Sequence, residues 1–457
     1  MNVIWIVSDT VRIDAVSAYG NKKMHTPALD AFAEKAVRFD RYYIAGFPTM
    51  QARADHMTGR WAVSFMQWEP IPPEQQTLAE ILTPNGIDTA AIVDTPFYIR
   101  NGMNYDRGFR TFYEVPGQLW TARGDPSRNP GYGSRGIQTI ETNCCAPRSF
   151  SGAMEWLDTH YKNNFFLYID VWDPHEPWTA PDYYTSLYWP GYDGELMREL
   201  YGYWKEAPGF TEEYVNKAHA AYCGEVTMVD TWFGYLMRKV ENMGLLENTA
   251  VIFTTDHGYY FGEHGSLYGK MVFDKEPGPG KTKMGAWARS PMYEEVAHIP
   301  LIIYMPDVPA GTRNSLVSAI DLMPTVMEML GQDIPSTVEG KSIVRMIQDA
   351  GVPGREIVFS SPTIANPGDT DQSVDAVRRY ASKPSMATIT TSEWSLLYDV
   401  EPGGSELYNL KSDPEQENNV ISQNQDVARE LHRYYVNHLR ETNLEKRLLE
   451  PRLEIKL

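Results

Sequence analysis

The sequence predicts an α/β protein with one large, mostly parallel sheet sandwiched by helices and a smaller C-terminal α+β subdomain. Three observations lead there. Short apolar, strand-like runs alternate with stretches of helical periodicity through residues 1–353. Two of those runs lead into aspartates, Asp9 and Asp256. From 354 to 457 the pattern changes to closely spaced short strands and a terminal polar helix.

Taken in order, residues 3–7 read as a buried strand that runs out at Asp9. TPALDAFAEKAVRF (26–39) opens on Thr-Pro, a helix start, and its apolar residues keep helical spacing before a strand-like RFDRYYI. Residues 87–93 and 165–171 are further strands. Between 210 and 244 the apolar residues Val215, Ala218, Tyr222, Val226, Val229, Phe233, Leu236 and Val240 recur every three or four positions, and Gly244 closes this long helix. A strand at 250–255 leads into Asp256, HIPLIIYM is another, and a helix covers 318–330. Late strands fall within SMATITTSEWSLLYDV and ELYNL. Three segments read as long loops, the usual material of lids and specificity walls. They are 115–150, rich in Gly, Pro and Arg; 172–208, with Trp172, Trp178, Trp189 and Trp204; and the Gly/Pro/Lys-rich 271–291.

Composition narrows the function. A net charge of -19 over 457 residues argues against a nucleic-acid partner and against an anionic membrane surface, since both are held by clustered Lys and Arg. An anionic substrate must then be held locally, by a metal and a few cations. No run reaches the ~18 to 20 apolar residues of a membrane span. The opening MNVIWIVS lacks the parts of a secretory signal, and Cys144, Cys145 and Cys223 form no disulfide framework. A cytoplasmic location is the expectation. A small-molecule or glycan ester is the expected partner, and a homo-oligomer is left open.

Polar groups at the C-terminal ends of parallel strands converge on one crevice, so Asp9 and Asp256 are expected to meet there. Read blandly, both only cap the helices that follow their strands. Four motifs in order weigh against that: SDTVRIDAVSAYGN (8–21), FPTMQARADHMTGR (47–60), DPHEPW (173–178) and TTDHGYYFGEHG (254–265). Together with YEEVAHIPLII, DLMPTVMEMLG and the late ELYNLKSDPEQENN, they resemble the sulfatase family of the alkaline phosphatase superfamily nearly end to end.

The resemblance implies a single divalent metal held by Asp9, Thr10, Thr49, Asp256 and His257. Thr10 stands where the family has a second carboxylate. An imidazole among the ligands favours Mn²⁺ or Zn²⁺ over Ca²⁺ or Mg²⁺. Sulfatases oxidise a Cys or Ser in a Cys/Ser-x-Pro-x-Arg run to formylglycine. Here Thr49 takes the nucleophile position, Gln51 replaces the proline, and Arg53 matches the arginine. The Cβ methyl of a threonine excludes the aldehyde, but its hydroxyl remains a nucleophile once a metal lowers its pKa. Other members of the superfamily use threonine for phosphoryl transfer, which points to a phosphate diester or phosphonate ester. A sulfatase working without formylglycine, and a silent relative that binds a sulfated or phosphorylated glycan, are the alternatives.

His175 resembles the histidine that protonates the leaving group. His264 and Lys270 match the loop after the second ligand pair, with Lys270 one residue further on than in the family. The family's Lys-Trp-His clamp after the 87–93 strand is replaced by Asp94, Thr95 and Pro96, with Tyr98 beyond. Losing two cations favours a monoanionic ester, or a substrate with a cationic or hydroxylated portion held by Asp94 and Tyr98. His25, His56, His160, His219, His298, His432 and His438 show no metal grouping and read as structural.

Overall fold

A computed structural model describes residues 1–66, 69–99, 102–115, 140–277, 285–364 and 386–457. Its centre is an eight-stranded sheet. In chain order the strands are β1 (Asn2–Ser8), β2 (Val37–Phe39), β3 (Asp88–Val93), β4 (Thr111–Glu114), β5 (Phe165–Val171), β6 (Thr249–Thr254), β7 (Leu301–Tyr304) and β8 (Gly311–Arg313). Across the sheet they run β8-β2-β7-β6-β1-β5-β3-β4. The central block β6-β1-β5-β3-β4 is parallel, while β7 pairs antiparallel with both β6 and β2. Every residue of β1, β5 and β6 is buried, as strands covered on both faces require.

Side chains alternate across the pleat, and each face meets its own helices. Ile4 and Ile6 pack with Phe150, Leu157, Phe233 and Leu236, which come from α3 (Cys145–His160) and α4 (Glu212–Asn242). Val3, Trp5 and Val7 face the other way, toward Met50 and Ala54 of α2 (Thr49–Thr58) and Leu322 and Val326 of α5 (Leu322–Met329). Pro27–Ala33 forms α1. The long helix begins where Thr211 accepts the Tyr214 N–H at 3.1 Å, and ends at Gly244, whose φ of 70° needs a glycine.

The smaller sheet is five-stranded: β9 (Ile357–Pro362), β10 (Ala387–Thr391), β11 (Trp394–Tyr398), β12 (Glu406–Asn409) and, at its edge, Gly46–Phe47. Ser361 pairs with Gly46 and Pro362 with Phe47. The last strand of the smaller sheet therefore comes from the segment just ahead of α2. Helix α6 (Gln425–Glu441) covers this sheet through Leu431, Tyr435 and Leu439, in one continuous core with the large sheet.

Two of the expected loops are partly regular. Residues 145–150 open α3, whose Ala146, Phe150, Ala153 and Leu157 line one buried face. Within 271–291, Val272–Pro277 and Gly285–Arg289 pair as an antiparallel hairpin. The rest of both predictions, 116–139 and 278–284, lies outside the described residues. Segment 172–208 is irregular apart from Asp182–Thr185, Gly202–Tyr203 and the turn Trp204–Glu206. Among the described residues no helix is long and apolar enough to cross a membrane. Cys144, Cys145 and Cys223 are buried free thiols.

Candidate active site

Adjacent parallel strands β1 and β6 end side by side, with Val7 opposite Thr254. Asp9 and Asp256 follow them, and Asp256 accepts the Thr10 N–H at 3.0 Å and the His257 N–H at 2.9 Å. Thr10 holds a φ of 57°, a left-handed conformation that a β-branched residue adopts only under strain. That turn swings its N–H onto Asp256 and leaves its own hydroxyl buried without a hydrogen-bond partner. Asp9, Asp256 and His257 offer ligand atoms that all lie within 4.8 Å of one another.

His257 is set up as a metal-ligating imidazole is. Its Nδ1–H donates to the Gly258 carbonyl at 2.9 Å, which leaves the Nε2 lone pair buried and unpartnered. Burial holds its pKa down to about 3, against the pull of Asp256, so the ring is neutral.

Arg53, from the first turn and a half of α2, binds this acid group together. Its Nε and Nη2 grip Asp170 at 2.8 and 2.9 Å, and Nη1 reaches Asp256 at 2.5 Å. Nη2 also stands 2.9 Å from Asp9 Oδ2, close enough for an ion pair, although both Asp9 oxygens lack a well-aligned donor. All four side chains are fully buried. Burial and Asp256 push the Asp9 carboxyl well above the usual carboxylate range. At Asp256, burial is outweighed by its cationic neighbours, Arg53 and Lys270 among them, and the carboxyl stays well below that range.

Thr49 opens α2 and is buried. The first intrahelical bond runs from Ala52 N to the Pro48 carbonyl at 3.0 Å, so the N–H groups of residues 49–51 precede it. Nη1 of Arg53, besides holding Asp256, lies 3.3 Å from the Thr49 carbonyl. Phe47 packs on His257 with ring centroids 5.0 Å apart. The helix start is thus tied to the acid group from two sides.

His175 and Lys270 form a second group. Lys270 Nζ donates to His175 Nε2 at 2.6 Å, and the opposite nitrogen, Nδ1–H, donates to the Glu176 carbonyl at 2.7 Å. Trp172 stacks on the imidazole at 3.9 Å. Burial and then Lys270 hold the His175 pKa well below its ordinary value, so the ring is neutral and accepts from Lys270. It can protonate a leaving group only with a proton first taken from Lys270.

Three candidates lie elsewhere or do other work. Both oxygens of Asp94 accept a hydrogen bond, one from Ser149 Oγ at 2.7 Å and one from the Trp172 N–H, so the buried carboxyl braces the Trp172–His175 turn. Tyr98 stacks on Trp172 at 5.8 Å, part of the same brace. His264 pairs through Nε2 with Glu295 at 2.9 Å and stacks on Tyr293 at 3.6 Å.

Two residues escaped the sequence reading. Asp170 looked like part of an apolar strand, although a carboxylate in a strand buried on both faces demands a cationic partner. Arg12, inside the first motif, is buried and bonds Asp14 at 2.8 Å and Glu263 at 2.5 Å, which locks the first and fourth motifs together.

Comparison with known proteins follows the same lines. An N-acetylglucosamine-6-O-sulfatase of Bacteroides thetaiotaomicron is 22% identical over 506 residues, covering 92% of this chain and 82% of the relative. An arylsulfatase of Clostridium perfringens is 22% identical over 481 residues, covering 92% and 90%. The solved phosphonate monoester hydrolase of Agrobacterium radiobacter superposes with a TM-score of 0.73 at 20% identity, covering 97% and 96%. A structure solved with its substrate D-glucosamine-2-N,6-O-disulfate gives 0.72 at 19% identity, covering 99% of both chains. The protein is a hydrolase acting on sulfuric or phosphoric esters, with the alkaline phosphatase-like fold. The sulfatase family model matches residues 1–332, and the chain belongs to that family.

Proposed function

We propose that the chain hydrolyses a monoanionic phosphorus ester, a phosphate diester or phosphonate monoester, with a divalent metal as cofactor and Thr49 as nucleophile. The observation that carries this reading is a set of buried donor atoms without hydrogen-bond partners beside the start of α2: Asp9 Oδ1, Thr10 Oγ and His257 Nε2, with Asp9 Oδ2 held only by its ion pair to Arg53. Buried polar atoms without partners are rare, and three together call for a ligand. With Asp256 they make two carboxylates, a hydroxyl and a neutral imidazole, a donor set that suits Mn²⁺ or Zn²⁺.

Charge supports the same substrate class. Once a metal displaces the proton that burial favours on Asp9, Asp9, Asp170 and Asp256 outnumber Arg53 and Lys270 by one negative charge. A divalent ion reverses that to one positive charge, which balances a monoanion. When bound, the cation lowers the pKa of an alcohol and offsets charge on the ester oxygens. Thr49, at a helix N-terminus, attacks phosphorus under the positive end of the α2 dipole. The Thr49–phosphorus bond forms as the bond to the leaving alcohol breaks. Lys270 and His175 supply the proton that the alcohol takes, which matches the one lost by Thr49. Water then cleaves the phosphothreonine and resets the pair. Arg53 holds the acids and the helix start in register throughout.

A sulfuric ester is the second reading, favoured by the names of the curated relatives. Turnover of p-nitrophenyl phenylphosphonate, bis-p-nitrophenyl phosphate, p-nitrophenyl phosphate and p-nitrophenyl sulfate with added Mn²⁺ separates the two. The phosphonate and the diester are expected to react fastest, and Thr49→Ala to lower their turnover by about 1,000-fold or more, while Thr49→Ser keeps a hydroxyl and most of the rate. Reaction of the sulfate alone, or full activity in Thr49→Ala, would overturn the assignment.

A further inference from the structure

The ribbon that presents Lys270 also gathers buried acids for which the ester chemistry has no use. Leu267 pairs with Tyr203 and Tyr268 with Gly202, so the chain ahead of Gly202 runs alongside the approach to Lys270. Gly269, with a φ of 98°, makes that approach tight. A Cβ there would lie 2.5 Å from the Leu200 carbonyl and 3.2 Å from Tyr201 Cα. From this stretch the Tyr201 hydroxyl donates to Glu176 Oε1, beside His175.

Glu176 is 2% exposed, and its other oxygen, Oε2, has no hydrogen-bond partner. His175 Nδ1 stands 3.3 Å from it, but that ring is neutral and its N–H goes to the Glu176 carbonyl. Glu199 lies close enough to feel both Glu176 and Lys270. Burial and then Glu176 push its carboxyl up to about 8. Two further buried groups face the same field. The hydroxyls of Tyr259 and Tyr268, 1% and 0% exposed, also lack partners, and both sense Glu176 and Glu199. Their rings and that of Trp178 meet edge to face at 5.6 to 6.5 Å.

Lys270 does not balance this group, because it already serves Asp9, Asp256 and His175. An acceptor oxygen and two hydroxyls without partners, near a Glu176–Glu199 pair in which burial and mutual repulsion hold a proton on Glu199, fit a ligand that brings both donors and positive charge. The neighbouring aromatic rings suit a cation as well. We propose that Glu176 and Glu199 bind an ammonium group carried by the alcohol portion of the ester, beside the His175–Lys270 pair. This rests on the reading that places the leaving alcohol at that pair.

The test gives the wild-type enzyme three phosphate diesters with no aryl leaving group, methyl 2-aminoethyl, methyl 2-hydroxyethyl and methyl propyl phosphate, and follows release of aminoethanol, ethanediol or propanol. The amine is expected to exceed the propyl ester in kcat/KM by about tenfold or more, as a charge-assisted contact in a partly dry site implies, with the hydroxyethyl ester close to propyl. In Glu176→Gln and Glu199→Gln the amine-to-propyl ratio is expected to fall to within about twofold of parity. The ratio is read inside each variant, so a slower enzyme still answers. Parity in the wild type, or a hydroxyethyl ester as good as the amine, overturns the proposal. If only sulfates react, 2-aminoethyl and propyl sulfate replace the phosphates. That result refutes the phosphorus-ester reading, whereas equal rates for the two sulfates refute the ammonium site.

Discussion

Replacing Arg53 by methionine removes one guanidinium from among three fully buried carboxylates, at 2.5 to 2.9 Å from Asp9, Asp170 and Asp256. Breaking one buried pair costs about 3–5 kcal/mol, because the abandoned charge stays dry and uncompensated. Three carboxylates share this arginine, but they would take up protons before standing bare, so the total should stay near that range and not triple. In metal-free buffer at neutral pH, Arg53→Met should therefore lose about 3–5 kcal/mol in urea unfolding. Arg53→Lys keeps a charge but gives up the two-pronged grip on Asp170, and should lose less. Adding Mn²⁺ at 100 times its Kd stabilises a competent site by about 2.7 kcal/mol, so the metal should recover part of the loss wherever the ligands still converge. A metal-free Arg53→Met protein within about 1 kcal/mol of wild type would refute the picture of an arginine that neutralises the acid group.

Two other predictions concern histidines. His257→Ala deletes the unpartnered Nε2, so the rise in unfolding midpoint that Mn²⁺ or Zn²⁺ gives the chelator-treated wild type should shrink or vanish. An equal metal response in the two proteins would remove His257 from the ligand set. His438, stacked on Phe359 at 4.3 Å and edge-on to Trp61 at 4.6 Å, has its pKa pushed down to about 3 by burial. The unfolded chain binds that proton from about pH 6.5 downward. Stability from this group is thus complete above pH 6.5 and is lost as the pH falls toward 3. By pH 4.5 the loss is about 2–3 kcal/mol, and His438→Leu should flatten the acid limb of the urea midpoint by that much. An unchanged limb would show that His438 titrates normally.

The parts of the fold that announced themselves did so through local periodicity. Residues 210–244 repeat an apolar face every three or four positions, and Asp9 and Asp256 end runs too apolar to be anything but inner strands. Helix α3 was missed because Gly, Pro and Arg crowd the residues ahead of it, although Ala146, Phe150, Ala153 and Leu157 carry the right spacing. The 272–289 hairpin was hidden by the same kind of composition. At the site, residue type identified Arg53, His175 and Lys270 as candidates but not their partners. That Asp94 turns inward to Ser149 and Trp172 follows from how β3 and β5 bring residues 94 and 172 together, a long-range fact. Asp170 and Glu199 stand in no motif, Glu176 sits in DPHEPW only as the neighbour of His175, and the sequence does not show which carboxyl groups the fold brings inward.

The edge pairing of Gly46–Phe47 with Ser361–Pro362 has a consequence for anyone who cuts or recombines this chain. The two backbone stretches are knit by Ser361 N to the Ala45 carbonyl at 2.8 Å and Ser360 Oγ to the Ile44 carbonyl at 2.7 Å. A fragment ending near residue 353 would keep every acid, imidazole and lysine of the candidate site. It would still lose the backing that fixes where the polypeptide turns into Thr49. The final hundred residues are therefore a scaffold for the start of α2, and a graft that swaps them between relatives must bring a matching 44–47 along.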